Sequence, residues 1–230
     1  MNARTTILGF SLLLGLGSTA ALASDLVVNG SFSAGNTGFS TGYTLTTQTP
    51  QLFENGLHGI YAVIPIGNVA PQSAYNDWVN VTVDPSGGNG NVYVADGATT
   101  YPTTVWQETL AVAPGSGYLF SYDAAEISNT CCSNADFQVA VNGVVLGDQT
   151  VGDSWVPYSY SWNSGLSTTA TITLTDLDNS GSYHDFVLDD LSFDGPSPST
   201  VTPEPSSMLL LGSGLVSLAG LMRRKIGMRG

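Results

Sequence analysis

The residues best suited to chemistry are few and far apart. Cys131 and Cys132 are adjacent and are the only cysteines. In an oxidising compartment they close on each other as a vicinal disulfide that rigidifies its loop, stay as free thiols, or bridge two molecules. Across a trans peptide their Cα atoms stand about 3.8 Å apart, shorter than the usual disulfide separation. No cation neighbours them to lower a thiol pKa, so a catalytic thiolate is not expected. The two histidines, His58 and His184, accompany neither a Gly-x-Ser-x-Gly elbow nor a His-Glu-x-x-His helix. Asp176-Leu177-Asp178-Asn179-Ser180-Gly181 opens like a calcium loop, with oxygen donors at alternate positions and a glycine for the bend. Its twelfth position is Val187, where a bidentate Glu is needed, so a polar turn before the last strand is the competing reading.

Sugar recognition rests on aromatics and hydroxyl acceptors, and the chain has 4 Trp and 10 Tyr. Tyr75, Tyr101 and Tyr183 lie among polar residues in expected loops and are candidates to stack on sugar rings. Trp106, Glu108, Leu110 and Val112 share one strand face, which puts Glu108 in a groove or beside the core. Tyr158, Tyr160 and Trp162 alternate with Ser159 and Ser161 and read as a core face. Thr169, Thr171, Thr173 and Thr175 form a single row, the solvent face of an amphipathic strand. Ice recognition needs several such rows in register. No local motif singles out the pair of carboxylates a glycosidase requires, and no enzymatic activity is expected.

From Thr5 to Met222 there is no Lys or Arg; Arg4, Arg223, Arg224, Lys225 and Arg229 are the only basic residues. Phosphate cradles, nucleic-acid grooves and lysine chemistry all require a cation, so the composition excludes them, nucleic-acid partners included. Of the 18 acidic residues only Glu204 lies beyond residue 202, leaving a charge of −17 on residues 24–202 with His neutral. Such a surface disfavours anionic polymers unless divalent cations bridge them.

Both ends read as addresses. Residues 1–23 form a secretory signal peptide: Arg4, an apolar stretch from Ile7 to Gly17, and Ala21-Leu22-Ala23 before the cleavage site. This implies passage through the Sec export machinery. Residues 196–202 are a Pro/Ser/Thr linker. Ser206–Met222 is an uncharged, mostly apolar run expected to form a short transmembrane helix, with Arg223, Arg224 and Lys225 holding its C-terminal end in the cytoplasm. Pro203-Glu204-Pro205, the helix and the basic cluster together resemble the PEP-CTERM sorting signal of Gram-negative, exopolysaccharide-making bacteria, here 203–230. The resemblance implies recognition and cleavage by an exosortase, so the membrane is a partner only before processing.

These candidates must be positioned by the span 24–195, an ordinary domain length. Short alternating runs separated by Gly, Asn, Asp and Pro dominate it, and no stretch sustains helical spacing over three turns; the pattern is all-β. Strands are expected at Leu26–Val28, Gly59–Ile66, Trp78–Val83, Asn91–Ala95, Thr104–Ala113, Tyr118–Ala125, Phe137–Val141, Val144–Gly147, Val156–Asn163, Ala170–Thr175 and Asp185–Phe193. Val141-Asn142-Gly143-Val144 is a hairpin signal, because Asn-Gly accepts the positive φ of a type I′ turn. Ala113–Gly117 turns one long strand into the next. Such a series of short strands implies a two-sheet sandwich.

Leu26-Val27-Val28-Asn29-Gly30-Ser31-Phe32, Leu110–Gly115 followed by Tyr118, and Asp185-Phe186-Val187-Leu188-Asp189-Asp190-Leu191-Ser192-Phe193 resemble, in order and spacing, the galactose-binding-like jelly roll of many carbohydrate-binding modules. The resemblance implies a structural calcium shared by the first and last strands, with Asn29, Asp189 and Asp190 as its candidate residues here. Ser33 stands where that family commonly has a carboxylate, which removes one hard ligand. The expected protein is exported to the cell surface or extracellular matrix and binds neutral polysaccharide. The alternative is a structural or adhesion component of the matrix with no dedicated sugar pocket.

Overall fold

The computed structural model describes residues 23–46, 58–69, 81, 83–127, 134–178, 184–198, 210–215 and 217. Its chain divides into two compact units, Met1–Ser197 and Pro198–Gly230. In the second, residues 210–215 and 217 are helical, and no helix among the described residues is long and apolar enough to cross a membrane. Of the expected addresses, residues 1–22, Pro203, Glu204, Pro205, Arg223, Arg224 and Lys225 lie outside the described residues.

The first unit is a jelly-roll sandwich of two sheets. Its strands are β1 (Ala23–Asp25), β2 (Thr44–Leu45), β3 (Ile60–Pro65), β4 (Asn91–Asp96), β5 (Thr103–Ala111), β6 (Gly117–Glu126), β7 (Asp136–Val141), β8 (Val144–Thr150), β9 (Val156–Asn163), β10 (Thr169–Asp176) and β11 (Phe186–Pro196). One sheet runs β2-β3-β4-β11-β6-β9 with β1 also on β11; the other runs β5-β10-β7-β8. Every pairing is antiparallel except β2 with β3.

Period-two alternation builds these strands. On β10, Ala170, Ile172 and Leu174 are fully buried while Thr169, Thr171, Thr173 and Thr175 face the other way. Each such Ile or Leu contributes about 1.5–3 kcal/mol of burial. Between the sheets the core is aromatic: Tyr93 stacks on Tyr61 at 4.8 Å and Tyr118 on Phe193 at 4.9 Å. Tyr158 is buried, and Tyr160 and Trp162 pack against the same core. The β7–β8 turn has Asn142 at φ 52° and Gly143 at φ 76°, the type I′ values. Asn142 also ties the turn to β10, accepting from the Thr171 amide at 2.8 Å and donating to the Thr169 carbonyl at 2.9 Å.

The opening strand departs from expectation, while the Ala113–Gly117 turn joins one long strand to the next as expected. The opening strand is Ala23–Asp25 and not Leu26–Val28, because the chain leaves the β11 ladder once the Asp25 carboxylate takes the Phe193 amide at 2.9 Å. The Ala113–Gly117 turn carries the chain from one sheet to the other; Tyr118 locks it, its hydroxyl taking the Ala113 amide at 2.7 Å and donating to the Pro196 carbonyl at 2.8 Å. Residues 78–80 and 82 of the expected Trp78–Val83 strand lie outside the described residues, and Val81 and Val83 are not in a strand.

Candidate functional site

The site is organised by β11, the central strand. On one side it pairs with β6 almost throughout. On the other it pairs first with β4, through Phe186–Leu188, and then with β1, through Asp194–Pro196. Where one neighbour gives way to the next, the β6 register slips between Asp189 and Ser192 and Asp190 adopts φ 48°. A bulge re-aims side chains at such a point. The 28–33 loop fills the gap: Gly30 accepts from the Leu191 amide at 3.1 Å, and the Leu26 amide donates to the Phe193 carbonyl at 3.1 Å.

Two open grooves flank this strand. One, of about 490 Å³, is lined by Asp25, Asn29, Ser31, Ser33 and Asp190. The other, of about 720 Å³, has the exposed Leu119 with Ser161, Asn163 and Asp194 on the face opposite the core, and Trp162, across from Tyr118 and packed on the core, at its edge. Leu119 stands directly across from both Asp194 and Ser161, and 42% of it is exposed. Ser192 links the grooves, its hydroxyl 2.8 Å from that of Ser121 and donating to Asp194 at 3.2 Å. An exposed apolar side chain among hydroxyl, amide and carboxylate groups has the chemistry to take C–H faces on Leu119 and hydroxyls at its rim.

Beside the bulge, four carboxylates stand with no Lys or Arg anywhere in the domain. Asp189 and Asp123 are cross-strand partners. Asp189 is 3% exposed and its Oδ1 has no hydrogen-bond partner. Burial pushes its carboxyl up to about 8, against a hydrogen bond from the Asp190 amide, and the charges of Asp190, Asp84 and Asp123 push the same way. Asp190 and Asp123 are raised by burial first, then by Asp84 and Asp190 respectively. Asp84 is held low by the Ser86 hydroxyl at 2.6 Å and the Gly88 amide at 2.7 Å, with the Gly90 amide at 2.8 Å on its other oxygen. Its oxygens are therefore committed to its own loop, and it contributes charge only.

The sequence candidates fare differently. Asn29 does not offer its side chain to a ligand: its Nδ2 donates to the carbonyls of Gly35 at 2.8 Å and Thr37 at 2.9 Å, and its Oδ1 accepts from the Ala34 amide at 2.8 Å. Trp106 is 1% exposed and packs 5.9 Å from Phe120, a core position that no sugar reaches. Glu108 closes the sandwich edge by accepting from the Val28 amide at 3.2 Å; burial pushes it up to about 7. Tyr101 is 57% exposed, next to a cis bond to Pro102. Tyr75, Tyr183, Cys131 and Cys132 lie outside the described residues. Asp176 turns inward, taking the Tyr43 hydroxyl at 2.9 Å and the Asp178 amide at 3.0 Å. Among the described residues no three His, Cys, Asp or Glu side chains form a metal-holding group.

Leu119, Ser161 and Asp194 were not legible as a site. The alternation Leu119-Ser121-Asp123 against Tyr118-Phe120-Tyr122 marks them as the face opposite the core, but only the strand order shows that Asp194 and Ser161 lie on either side of Leu119.

Residues 201–225 match the PEP-CTERM protein-sorting motif. No curated protein matches the chain. Among solved structures, the Stig cyclase Fisc from Fischerella sp. TAU is 11% identical, with 77% of this chain and 100% of that one covered and a TM-score of 0.51. The CBM22-1 xylan-binding domain of Paenibacillus barcinonensis Xyn10C is 16% identical over 78% of this chain and 100% of its own, with a TM-score of 0.46. A family 16 carbohydrate-binding module is 13% identical, with 73% and 98% covered and a TM-score of 0.42. At these identities the likeness is one of fold, and chemistry does not transfer with it. The motif indicates an exported protein processed at the membrane, which fits a secreted surface protein. The chain thus carries a two-sheet jelly-roll β-sandwich, followed by a PEP-CTERM protein-sorting motif at 201–225.

Proposed function

We propose that this is a Gram-negative surface or extracellular-matrix protein, exported by the Sec machinery and processed by an exosortase, that binds neutral polysaccharide through the groove beside β11. The observation that carries this reading is the exposed Leu119 flanked by Ser161, Asn163 and Asp194, in a domain with no Lys or Arg to attract an acidic polymer. Its role is binding and not catalysis. Among the described residues the buried His184–Asp176 contact, with side chains 0% and 2% exposed, is out of reach of a polymer. Retention by a panel of neutral and acidic polysaccharides in co-sedimentation tests the reading: saturable retention by a neutral member supports it. No retention by a folded protein favours the matrix-scaffold alternative.

Calcium belongs to the same proposal, at the Asp189 and Asp190 carboxylates, which form no three-carboxylate group with Asp123. The fit is one of charge: the orphaned Asp189 Oδ1 lacks a donor that a cation would replace. Asn29 and Asp84 are already committed and Ser33 is no carboxylate, so few charged ligands remain and the affinity expected is weak, about 10⁻⁴–10⁻³ M. At pH 8, 10 mM calcium should raise Tm by several degrees, and Asp189→Asn should abolish the rise. An unchanged Tm in the parent protein would exclude the site.

A further inference from the structure

A buried polar cluster lies away from both grooves, at one end of β4, β6, β7, β10 and β11. At its centre His184 is fully buried. Its Nε2 is 2.8 Å from Asp176 Oδ2 and its Nδ1 is 3.5 Å from Asp178 Oδ2. These are close ionic contacts without aligned hydrogen bonds. The Tyr43 hydroxyl donates to the same Asp176 oxygen at 2.9 Å. Glu126 from β6 and Asp96 from β4 also act on the ring or are acted on by it, Asp185 precedes β11, and Asp136 from β7 feels both Asp176 and Asp178. Asp96 in turn contacts His58 Nδ1 at 2.8 Å. Gly97 completes the enclosure: a Cβ there would come within 2.7 Å of the imidazole, so only glycine lets the backbone lie against the ring.

A neutral imidazole has one N–H and one lone pair, so one of its nitrogens would point a lone pair at a carboxylate. An imidazolium pairs with both carboxylates by charge, at 2.8 and 3.5 Å. With carboxylates approaching from every packed element and no Lys or Arg in the domain, positive charge can reach this cluster through the buried His184 ring and, at Asp96, through His58.

We propose that His184 is held as an imidazolium by Asp176 and Asp178 and is the internal counter-ion that fastens this end of the sandwich, making it a proton-operated latch. Burial alone pulls the ring pKa down, but Asp176, then Asp178 and Glu126, outweigh it and the net direction is up. A raised folded pKa stabilises fully below the unfolded value near 6.5, and the contribution is lost as pH rises through the folded value. The latch is therefore closed in acid and loosens in alkali. An exported protein meets the pH of its surroundings directly, so the latch would report it.

Imidazole ¹⁵N shifts of the exported protein, followed from pH 5 to 9, test this without any substitution. The result expected is a resonance whose two nitrogens both keep imidazolium shifts above pH 7, moved to lower pH in an Asp178→Asn variant. Amides of Gly97 and Asp176 should exchange faster once that resonance titrates. A buried ring in one neutral tautomer throughout, or titration at or below pH 6.5, would overturn the proposal. Amide exchange that does not change with the titration would remove the latch while leaving the ion pair.

Discussion

Replacing Gly30 with alanine is expected to leave the domain unable to fold at 37 °C. A Cβ at Gly30 would overlap the carbonyl oxygen of Leu191 and lie 3.1 Å from Val27 Cγ1. The obstacle is backbone of the central strand at its bulge, and Gly30 accepts from the Leu191 amide at 3.1 Å, so neither chain can withdraw without losing the contact between the first loop and β11. The cost should exceed about 4 kcal/mol, a large share of the about 5–15 kcal/mol that stabilises an ordinary domain. Gly35→Ala is the control: Gly35 has φ 76° and no atom within 4 Å, so alanine there meets only backbone strain of about 1–2 kcal/mol. Urea denaturation of the two variants decides the matter. Equal midpoints would show that the loop and β11 are not clamped.

Stability should fall as pH rises from 5 to 9. Asp96 and Asp189, ordinarily near 3.8, are pushed by burial to about 7 and about 8, and Glu108, ordinarily near 4.5, is pushed to about 7. The sign follows from proton counts. Between pH 4 and 8 the unfolded chain has released these protons while the folded chain still holds them, so the folded state binds more and stability declines with pH. Stabilisation is complete below the unfolded pKa values and gone above the folded ones. Asp84 works oppositely, its depressed pKa adding stability that is lost only as pH falls below about 4. Glu108 is partly solvated and contributes least. The combined change should be on the order of 3 kcal/mol, about 10 °C in Tm. Calorimetry at constant ionic strength checks it, and Asp189→Asn should flatten the slope. A Tm that is flat or rises from pH 5 to 9 would contradict the burial of these carboxyls.

Much of the fold was legible because strands advertise themselves by alternation. Thr169–Asp176 and Val156–Asn163 could be bounded to within about a residue, and Asn142-Gly143 specified its turn. What failed was local in a different sense. Thr44–Leu45 is a two-residue strand with no period to detect, and it exists because β3 offers it an edge. Trp106 could not be told from a binding aromatic, since core and groove both select large rings; its burial follows from the second sheet closing over it. The groove was illegible for a topological reason. Leu119, Ser161 and Asp194 come from three strands, and their meeting depends on the order β11-β6-β9, which alternation does not encode. The bulge at Asp190 likewise reflects a change of neighbour from β4 to β1 and leaves no mark in the adjacent Asp-Asp pair.

The claim that β11 and β6 present a sugar groove is tested most directly by comparing the parent protein with a Leu119→Asp variant in co-sedimentation with the neutral polysaccharide that the panel identifies. Leu119 is exposed and faces away from the core, so the variant should keep its circular dichroism spectrum and its Tm within a few degrees. Placing a charge at this exposed apolar position should weaken retention at least about tenfold, the equivalent of about 1.4 kcal/mol. Equal retention by a folded variant would move the binding surface elsewhere on the sandwich and contradict the account.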